Sequence, residues 1–251
     1  MMLLEDKVVL VTGGGRGIGA AISRVCAREG AAVAINCYNS VDGARDLAES
    51  IEEDGGTARA WCCDVRDPVS VKEMVAVVHQ AFGRLDCVIN NAIAGTQSGP
   101  LDEVFWEDYE NSFDYGAKAV INTVSAVRPL MKKQGGGSII NIVTELWNVA
   151  SAGWSVYLAG KGAMVGISRS MAAELGPENI TVNMVAPGWM KTEKITEGTD
   201  TSGYTSGIPL RRQGDAEEIG KVCAFLASDM GAFVSGAYIP VSGGSVRQTG
   251  N

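Results

Sequence analysis

The sequence predicts an α/β protein: a parallel sheet with helices on both faces. Three observations carry this expectation. Short β-rich runs alternate with longer helical patterns almost to the end of the chain. Those runs are apolar nearly throughout, as strands buried on both faces are, without the polar alternation of a half-solvated sheet. No linker, repeat or low-complexity tract interrupts the pattern, so residues 1–251 are expected to form one large domain with a full core.

The first apolar run, KVVLVT (7–12), reads as a strand, and the helix after it, GIGAAISRVCAREG, is closed by Gly30. AAVAIN (31–36) is a second strand, followed by a polar helix from about Val41 to Asp54. ARAWCCDV (58–65) and LDCVINN (85–91) are strands on either side of a helix that starts near Pro68. A long helical region covers roughly Leu101 to Lys133, and SIINIV (138–143) is the next strand. The helix carrying Tyr157 comes next, then ITVNMVAP (180–187) as a strand. The stretch from Gly188 to Gly214 is irregular and rich in Thr, Ser and Gly, with the length of a functional lid. DAEEIGKVCAFLASD (215–229) is a helix and GAYIPVSGG (236–244) a last strand.

Composition removes several function classes. A net charge of −8 disfavours a nucleic-acid surface, and no apolar run is long enough to span a bilayer. The opening MMLLEDKVVLVTGG runs directly into a strand and lacks the pattern of a secretory leader, so a cytoplasmic protein is expected. The six cysteines have no metal-ligand spacing; Cys62 and Cys63 are adjacent and point to opposite faces of a strand. They read as small buried hydrophobes. The single histidine, His79, reads as a helix-surface residue, which leaves no Ser–His–Asp arrangement.

Two patterns carry chemistry. TGGGRGIG (Thr12–Gly19) links the first strand to a helix; its glycines permit a tight turn and close backbone approach, and the helix start offers unpaired N–H groups. That combination suits a pyrophosphate, although a ligand-free glycine turn has the same composition. Tyr157 and Lys161 lie four apart on a helix, hence on one face, with the hydroxyl of Thr144 upstream. A lysine beside a tyrosine favours the phenolate, lowering a pKa that is ordinarily ~10 and fitting it for proton transfer. A surface tyrosine packed under a lysine stem has the same spacing.

TGGGRGIG, INNA (Ile89–Ala92), Y-x-x-x-K (Tyr157–Lys161) and APG (Ala186–Gly188), in this order, resemble the short-chain dehydrogenases/reductases over essentially the whole chain. IPLRRQGDAEEIGKVCAFLASD and VSGAYIPVSGG are especially similar to the 3-oxoacyl-acyl-carrier-protein reductase branch. The resemblance implies a doubly wound Rossmann fold with a seven-stranded parallel sheet, a nicotinamide cofactor, no metal and a homotetramer. It implies Tyr157, Lys161 and Thr144 as catalytic residues, with Lys161 also bonding the nicotinamide ribose. Gly13, Gly15, Arg16, Gly17, Ile18 and Gly19 would hold the phosphates, and Asp64 and Val65 the adenine edge. Asn91 and Ala92 would lie against the ribose, and Pro187, Gly188 and Thr192 beside the carboxamide.

The second strand ends in AINCYNS, with Cys37 roughly where NAD-binding folds place an acid, and no carboxylate lies between Ala31 and Val41. That favours NADP(H) over NAD(H), with Arg16, Tyr38, Asn39 and Ser40 around the 2′-phosphate; a solvated role for Arg16 is the alternative. The chain departs from the family in three places. Thr144 stands where serine is usual, and INNAIAG puts Ile93 at a glycine position. The catalytic asparagine of the long helix falls on Tyr115 or Gly116, with Asn111 and Asn122 each more than a turn away. Reduction of a 3-oxoacyl thioester or another ketone is the expected activity, with a weakly catalytic cofactor-binding module as the alternative. Trp147, Trp154, Trp189 and Met190 are candidates for an apolar substrate wall, and Lys132 and Lys133 for docking an acidic carrier.

Overall fold

The computed structural model describes residues 2–93, 95, 98–149, 151–193 and 199–245. The chain runs β1 (Val8–Val11), α1 (Gly17–Arg28), β2 (Ala32–Cys37), α2 (Val41–Glu53), β3 (Thr57–Cys62), α3 (Pro68–Phe82) and β4 (Cys87–Asn90). It continues through α4 (Trp106–Phe113), a π-helical turn (Asp114–Lys118), α5 (Ala119–Gln134), β5 (Gly137–Ile142), a 3-10 turn (Glu145–Asn148), α6 (Ser155–Leu175) and β6 (Ile180–Pro187). The final part holds β7 (Met190–Lys191), α7 (Ser202–Gly207), β8 (Gly214–Asp215), α8 (Ala216–Ala227) and β9 (Tyr238–Val241). Seven strands form one parallel sheet in the order β3-β2-β1-β4-β5-β6-β9. The order reverses between β1 and β4, and in such sheets the carboxyl ends of the strands at that reversal form the binding crevice.

Alternation along each strand divides the core into two layers. Val9, Val11, Ile35 and Ile89 face α1, α2 and α8 with Ile22, Leu47 and Ile219. Val8, Leu10, Val88 and Ile139 face α3, α5 and α6 with Val71, Val124 and Met164. Burying each such side chain contributes roughly 1.5–3 kcal/mol before the entropy of ordering it. A polar chain crosses the second layer: Asn90 Nδ2 donates to Asn141 Oδ1 (2.8 Å), Thr123 Oγ1 to Asn90 Oδ1 (2.7 Å) and Asn141 Nδ2 to Ser168 Oγ (2.7 Å). It ties the middle of the sheet to α5 and α6.

The helix ends follow their local chemistry. Asp67 accepts from Val69 N and Ser70 N ahead of Pro68, and Gly83 closes α3 at φ +79°. The long helical region expected from Leu101 begins at Trp106 and passes through the π turn before resuming as α5. The segment expected to be wholly irregular, 188–214, contains α7 and the small β7–β8 pairing, and its residues 194–198 lie outside the described residues. Two further expectations change. Cys62 is exposed, unlike the other five cysteines. His79 is half-buried beside Val75 and Val78, with Nδ1 enclosed and unbonded. Among the described residues no helix is long and apolar enough to cross a membrane.

Candidate active site

The glycine loop is held from three sides. Thr12 Oγ1 accepts from the N–H groups of Asn91 and Ala92, both at 3.0 Å. Asn91 Nδ2 donates to the carbonyls of Thr12 (3.0 Å) and Gly13 (3.1 Å), and Asn36 Oδ1 accepts from Gly13 N (3.3 Å). Gly13 and Gly17 adopt φ +60° and +56°, and a Cβ at Gly19 would run into the Gly13 carbonyl and Asn91. Thr12 and Asn36 were not singled out from the sequence, because their partners are distant in the chain; only the register of the sheet brings them together.

Helix α1 starts at Gly17 with Arg16 at its N-cap in extended conformation, making no side-chain cap bond. An anion is already drawn there: Gly17 N donates to Glu193 Oε1 at 2.8 Å. A carboxylate on the free N–H groups of a helix start is the arrangement a phosphate would take, so the cradle fits a dinucleotide.

This loop floors an open cleft of about 1170 Å³. Gly13, Gly15, Arg16, Gly17, Ile18 and Gly19 line one end. Tyr38, Asn39, Ser40, Asp64 and Val65 line the far side, and Asn91, Ala92, Ile93 and Thr192 the near wall. Pro187 ends β6, and Gly188 borders a separate cavity beside Tyr204; neither reaches this cleft. Cys37, roughly where NAD-binding folds place an acid, lines the cleft beside Tyr38. Cys37 is 3% exposed with its thiol turned to the Trp61 carbonyl (3.7 Å), whereas Tyr38 is 49% exposed at the cleft edge. Asp64 is held by Arg66 through bonds of 3.0 and 2.8 Å that keep its carboxyl below the ordinary range. The Arg66 guanidinium also lies over the rings of Tyr115 (4.9 Å) and Tyr38 (5.9 Å), crossing from one side of the cleft to the other.

Tyr157 and Lys161 line a small, open cavity of about 30 Å³ that shares Ala92, Ile93, Gly95 and Tyr115 with the cleft. Burial pushes the Tyr157 hydroxyl above its usual value, and a hydrogen bond with the Thr144 side chain opposes this. Thr144 Oγ1 also accepts from Leu146 N at 3.2 Å. Lys161 is 5% exposed; its ammonium donates to the Ile142 carbonyl at 2.6 Å, and burial brings its pKa down to about 8. The lysine's expected part in favouring the phenolate is not seen in the protein by itself. In the protein by itself the ammonium is turned to Ile142 and desolvation dominates at Tyr157. Tyr238 OH braces the site from β9 by donating to the Thr144 carbonyl at 2.7 Å.

Of the two positions open for the asparagine, Tyr115 borders both the cleft and the Tyr157–Lys161 cavity, and Gly116 is packed on α6. A Cβ at Gly116 would meet the Gly160 backbone, and one at Gly160 would meet Ser112, so α6 and the π turn touch backbone to backbone. The Gly116 position has no room for a side chain. Asn111, set aside on spacing, borders the Tyr157–Lys161 cavity, while Asn122 Nδ2 donates to the Val65 carbonyl (3.0 Å). Of the tryptophans, Trp154 stands edge-on to Tyr157 (5.8 Å between centroids), Trp147 lies over Gly162, and Trp189 contacts Tyr204 at 5.3 Å.

A doubly wound sheet, a glycine loop shaped for an anion at its reversal and a half-buried tyrosine in one cavity with a buried lysine suit a nicotinamide-type oxidoreductase site. Residues 13–245 match the family model described as Enoyl-(Acyl carrier protein) reductase. The chain is 39% identical to an uncharacterised oxidoreductase of Methylorubrum extorquens, covering 97% of this chain and 99% of that one. It is 36% identical to the 3-oxoacyl-acyl-carrier-protein reductase FabG of Thermotoga maritima, covering 98% and 100%. A blue fluorescent protein from a metagenomic library, solved in complex with NADPH, superimposes with a TM-score of 0.90 at 35% identity, covering 98% of this chain and 100% of that one. The chain belongs to the short-chain dehydrogenase/reductase family and is an oxidoreductase acting on CH–OH or C=O groups with NAD(P).

Proposed function

We propose that the protein is an NADP(H)-dependent ketone reductase, with a 3-oxoacyl thioester as the leading substrate class. The observation that carries this reading is the placement of Tyr157 with Lys161 in a cavity that shares part of its wall with the nucleotide cleft. The bound nicotinamide supplies the hydride. Thr144, whose oxygen already accepts from Leu146 N, keeps its own hydrogen for the substrate carbonyl. Tyr157 gives its proton to that same oxygen, and the buried Lys161 ammonium stabilises the phenolate left behind. Gly13 to Gly19 seat the phosphates, with Glu193 yielding its place at Gly17 N.

NADP(H) over NAD(H) is supported by the absence of a carboxylate among Tyr38, Asn39 and Ser40 and by exposed Arg16 at the same cleft. The NADPH held by the metagenomic relative is consistent with it. The chain is read as a single domain with 188–214 as its substrate lid, assembling as a homotetramer.

One observation favours a substrate not presented by an acidic carrier. Glu178 accepts from Arg128 (2.9 Å) and Lys132 (2.8 Å), so basic groups that would meet such a carrier are engaged within the chain. Comparing kcat/KM for NADPH and NADH on an acetoacetyl thioester, free and carrier-linked, and on small cyclic ketones tests both readings. A preference for NADH sinks the cofactor assignment. Tyr157→Phe is expected to abolish turnover and leave NADPH binding within about twofold, since it removes one hydroxyl from the proton path only.

A further inference from the structure

Two neighbouring thiols beside the cleft take no part in the hydride chemistry: Cys37, which lines it, and Cys62 next to it on β3. Cys37 and Cys62 are register partners, the last pair of the parallel β2–β3 ladder. In-register residues on neighbouring strands share a face, and the strand spacing of ~4.8 Å falls within the Cα separation a disulfide accepts. Their hydrogen bonds cross: Cys37 Sγ donates to the Trp61 carbonyl on β3 (3.7 Å), and Cys62 Sγ to the Tyr38 carbonyl beyond β2 (3.6 Å). Each sulfur thus leans toward the other strand. Cys63, although adjacent in sequence, belongs to the opposite core layer and is not the partner.

The pair is asymmetric in the way an oxidation site needs. Cys62 lies on the edge strand and is the one exposed cysteine of six, whereas Cys37 is buried and borders the cleft. Burial, then the Cys62 thiol beside it, pushes Cys37 up, so Cys62 reacts first and Cys37 resolves.

We propose that Cys37 and Cys62 are a redox site: hydrogen peroxide converts them reversibly to a cross-strand disulfide that weakens nucleotide binding. The Cys62 thiolate attacks one peroxide oxygen; an S–O bond forms, the O–O bond breaks, and the departing hydroxide is protonated to water. The Cys37 thiolate then attacks the Cys62 sulfur; the S–S bond forms, the S–O bond breaks, and hydroxide leaves with the Cys37 proton as a second water. Two thiols lose two electrons and the peroxide gains them. The product removes the Cys62 bond to the Tyr38 carbonyl, freeing the segment Tyr38–Ser40 that edges the cleft, while Cys63, Asp64 and Val65 follow directly on the other strand. The consequence for binding rests on the nucleotide reading of the cleft; the disulfide does not.

The test oxidises the full-length protein with graded hydrogen peroxide, then uses peptide mass spectrometry with fragmentation that separates Cys62 from Cys63. Expected is a peptide joining Cys37 to Cys62, two hydrogens lighter and restored by dithiothreitol. NADPH fluorescence titration is expected to give a Kd about three- to tenfold higher, the effect of one lost positioning hydrogen bond. Saturating NADPH should slow the joining, because the coupling is reciprocal. Cys62→Ser keeps the bond to Tyr38, and its activity and Kd should ignore peroxide. Cys62 accumulating as sulfinic acid, or joined to Cys63 or to another chain, overturns the site. A Cys37–Cys62 link with unchanged Kd overturns its coupling to binding. Reduced protein that binds no NADPH sinks the nucleotide reading, while the joined peptide still establishes the thiol pair.

Discussion

Lys161→Met separates the stability of the site from its activity. The lysine is charged and 5% exposed, with the Ile142 carbonyl its one bonded acceptor among the described residues. A fall from 10.5 to about 8 corresponds to roughly 3 kcal/mol of burial cost, at ~1.4 kcal/mol per pH unit. The hydrogen bond from the ammonium returns about 1.5–3 kcal/mol of this. Methionine fills similar volume without charge, so Lys161→Met should be more stable than wild type at pH 7 by up to about 1.5 kcal/mol, yet inactive. The pH dependence has a definite sign. Below pH 8 both folded and unfolded lysine are protonated and the cost is full. Between about 8 and 10.5 the folded state sheds its proton first, so wild-type stability rises with pH relative to the variant. Urea denaturation of both proteins from pH 7 to 10, followed by tryptophan fluorescence, measures the difference. A variant less stable at pH 7, with a gap that does not change toward pH 10, refutes the reasoning.

Glu193→Gln should lower KM for NADPH about two- to fivefold, because it removes a carboxylate worth ~0.3–1 kcal/mol at the helix start where phosphate binds; an increase contradicts that placement. Tyr38→Asp should turn cofactor preference toward NADH by roughly tenfold or more in kcat/KM through repulsion of the 2′-phosphate. Cys37→Asp should instead destabilise the fold, since that position is 3% exposed. Gly116→Asn should fail to improve turnover and should cost roughly 1–3 kcal/mol in thermal denaturation, because its Cβ meets the Gly160 backbone.

The features legible in the sequence are those set by short-range spacing. The apolar runs gave the strands, the glycine positions gave the tight turn into α1, and the four-residue spacing on a helix brought Tyr157 and Lys161 to one cavity. What was not legible depends on register or on distant partners. Side chains alternate along β2 and its continuation, so Cys37 is packed into a core layer while Tyr38 beside it is exposed at the cleft, a split that the run AINCYNS does not announce. The π turn at Asp114–Lys118 is not announced by any local pattern in the run SFDYGAKAV. No local pattern announces that Glu193 will reach Gly17, or that the Lys161 ammonium will turn to Ile142, since each pair meets only once the sheet has formed.

The clamp on the glycine loop has a consequence for every catalytic cycle. An eight-residue loop rich in glycine, Thr12 to Gly19, is among the most costly stretches of chain to order, at about 1–2 kcal/mol per residue. Because Thr12, Asn36 and Asn91 fix its shape in the folded protein, that entropy is surrendered once, during folding. On the proposed reading, an arriving nucleotide displaces Glu193 from Gly17 N but meets a loop whose shape is already held. Its release likewise returns no disorder to the loop, which is ready at once for the next molecule.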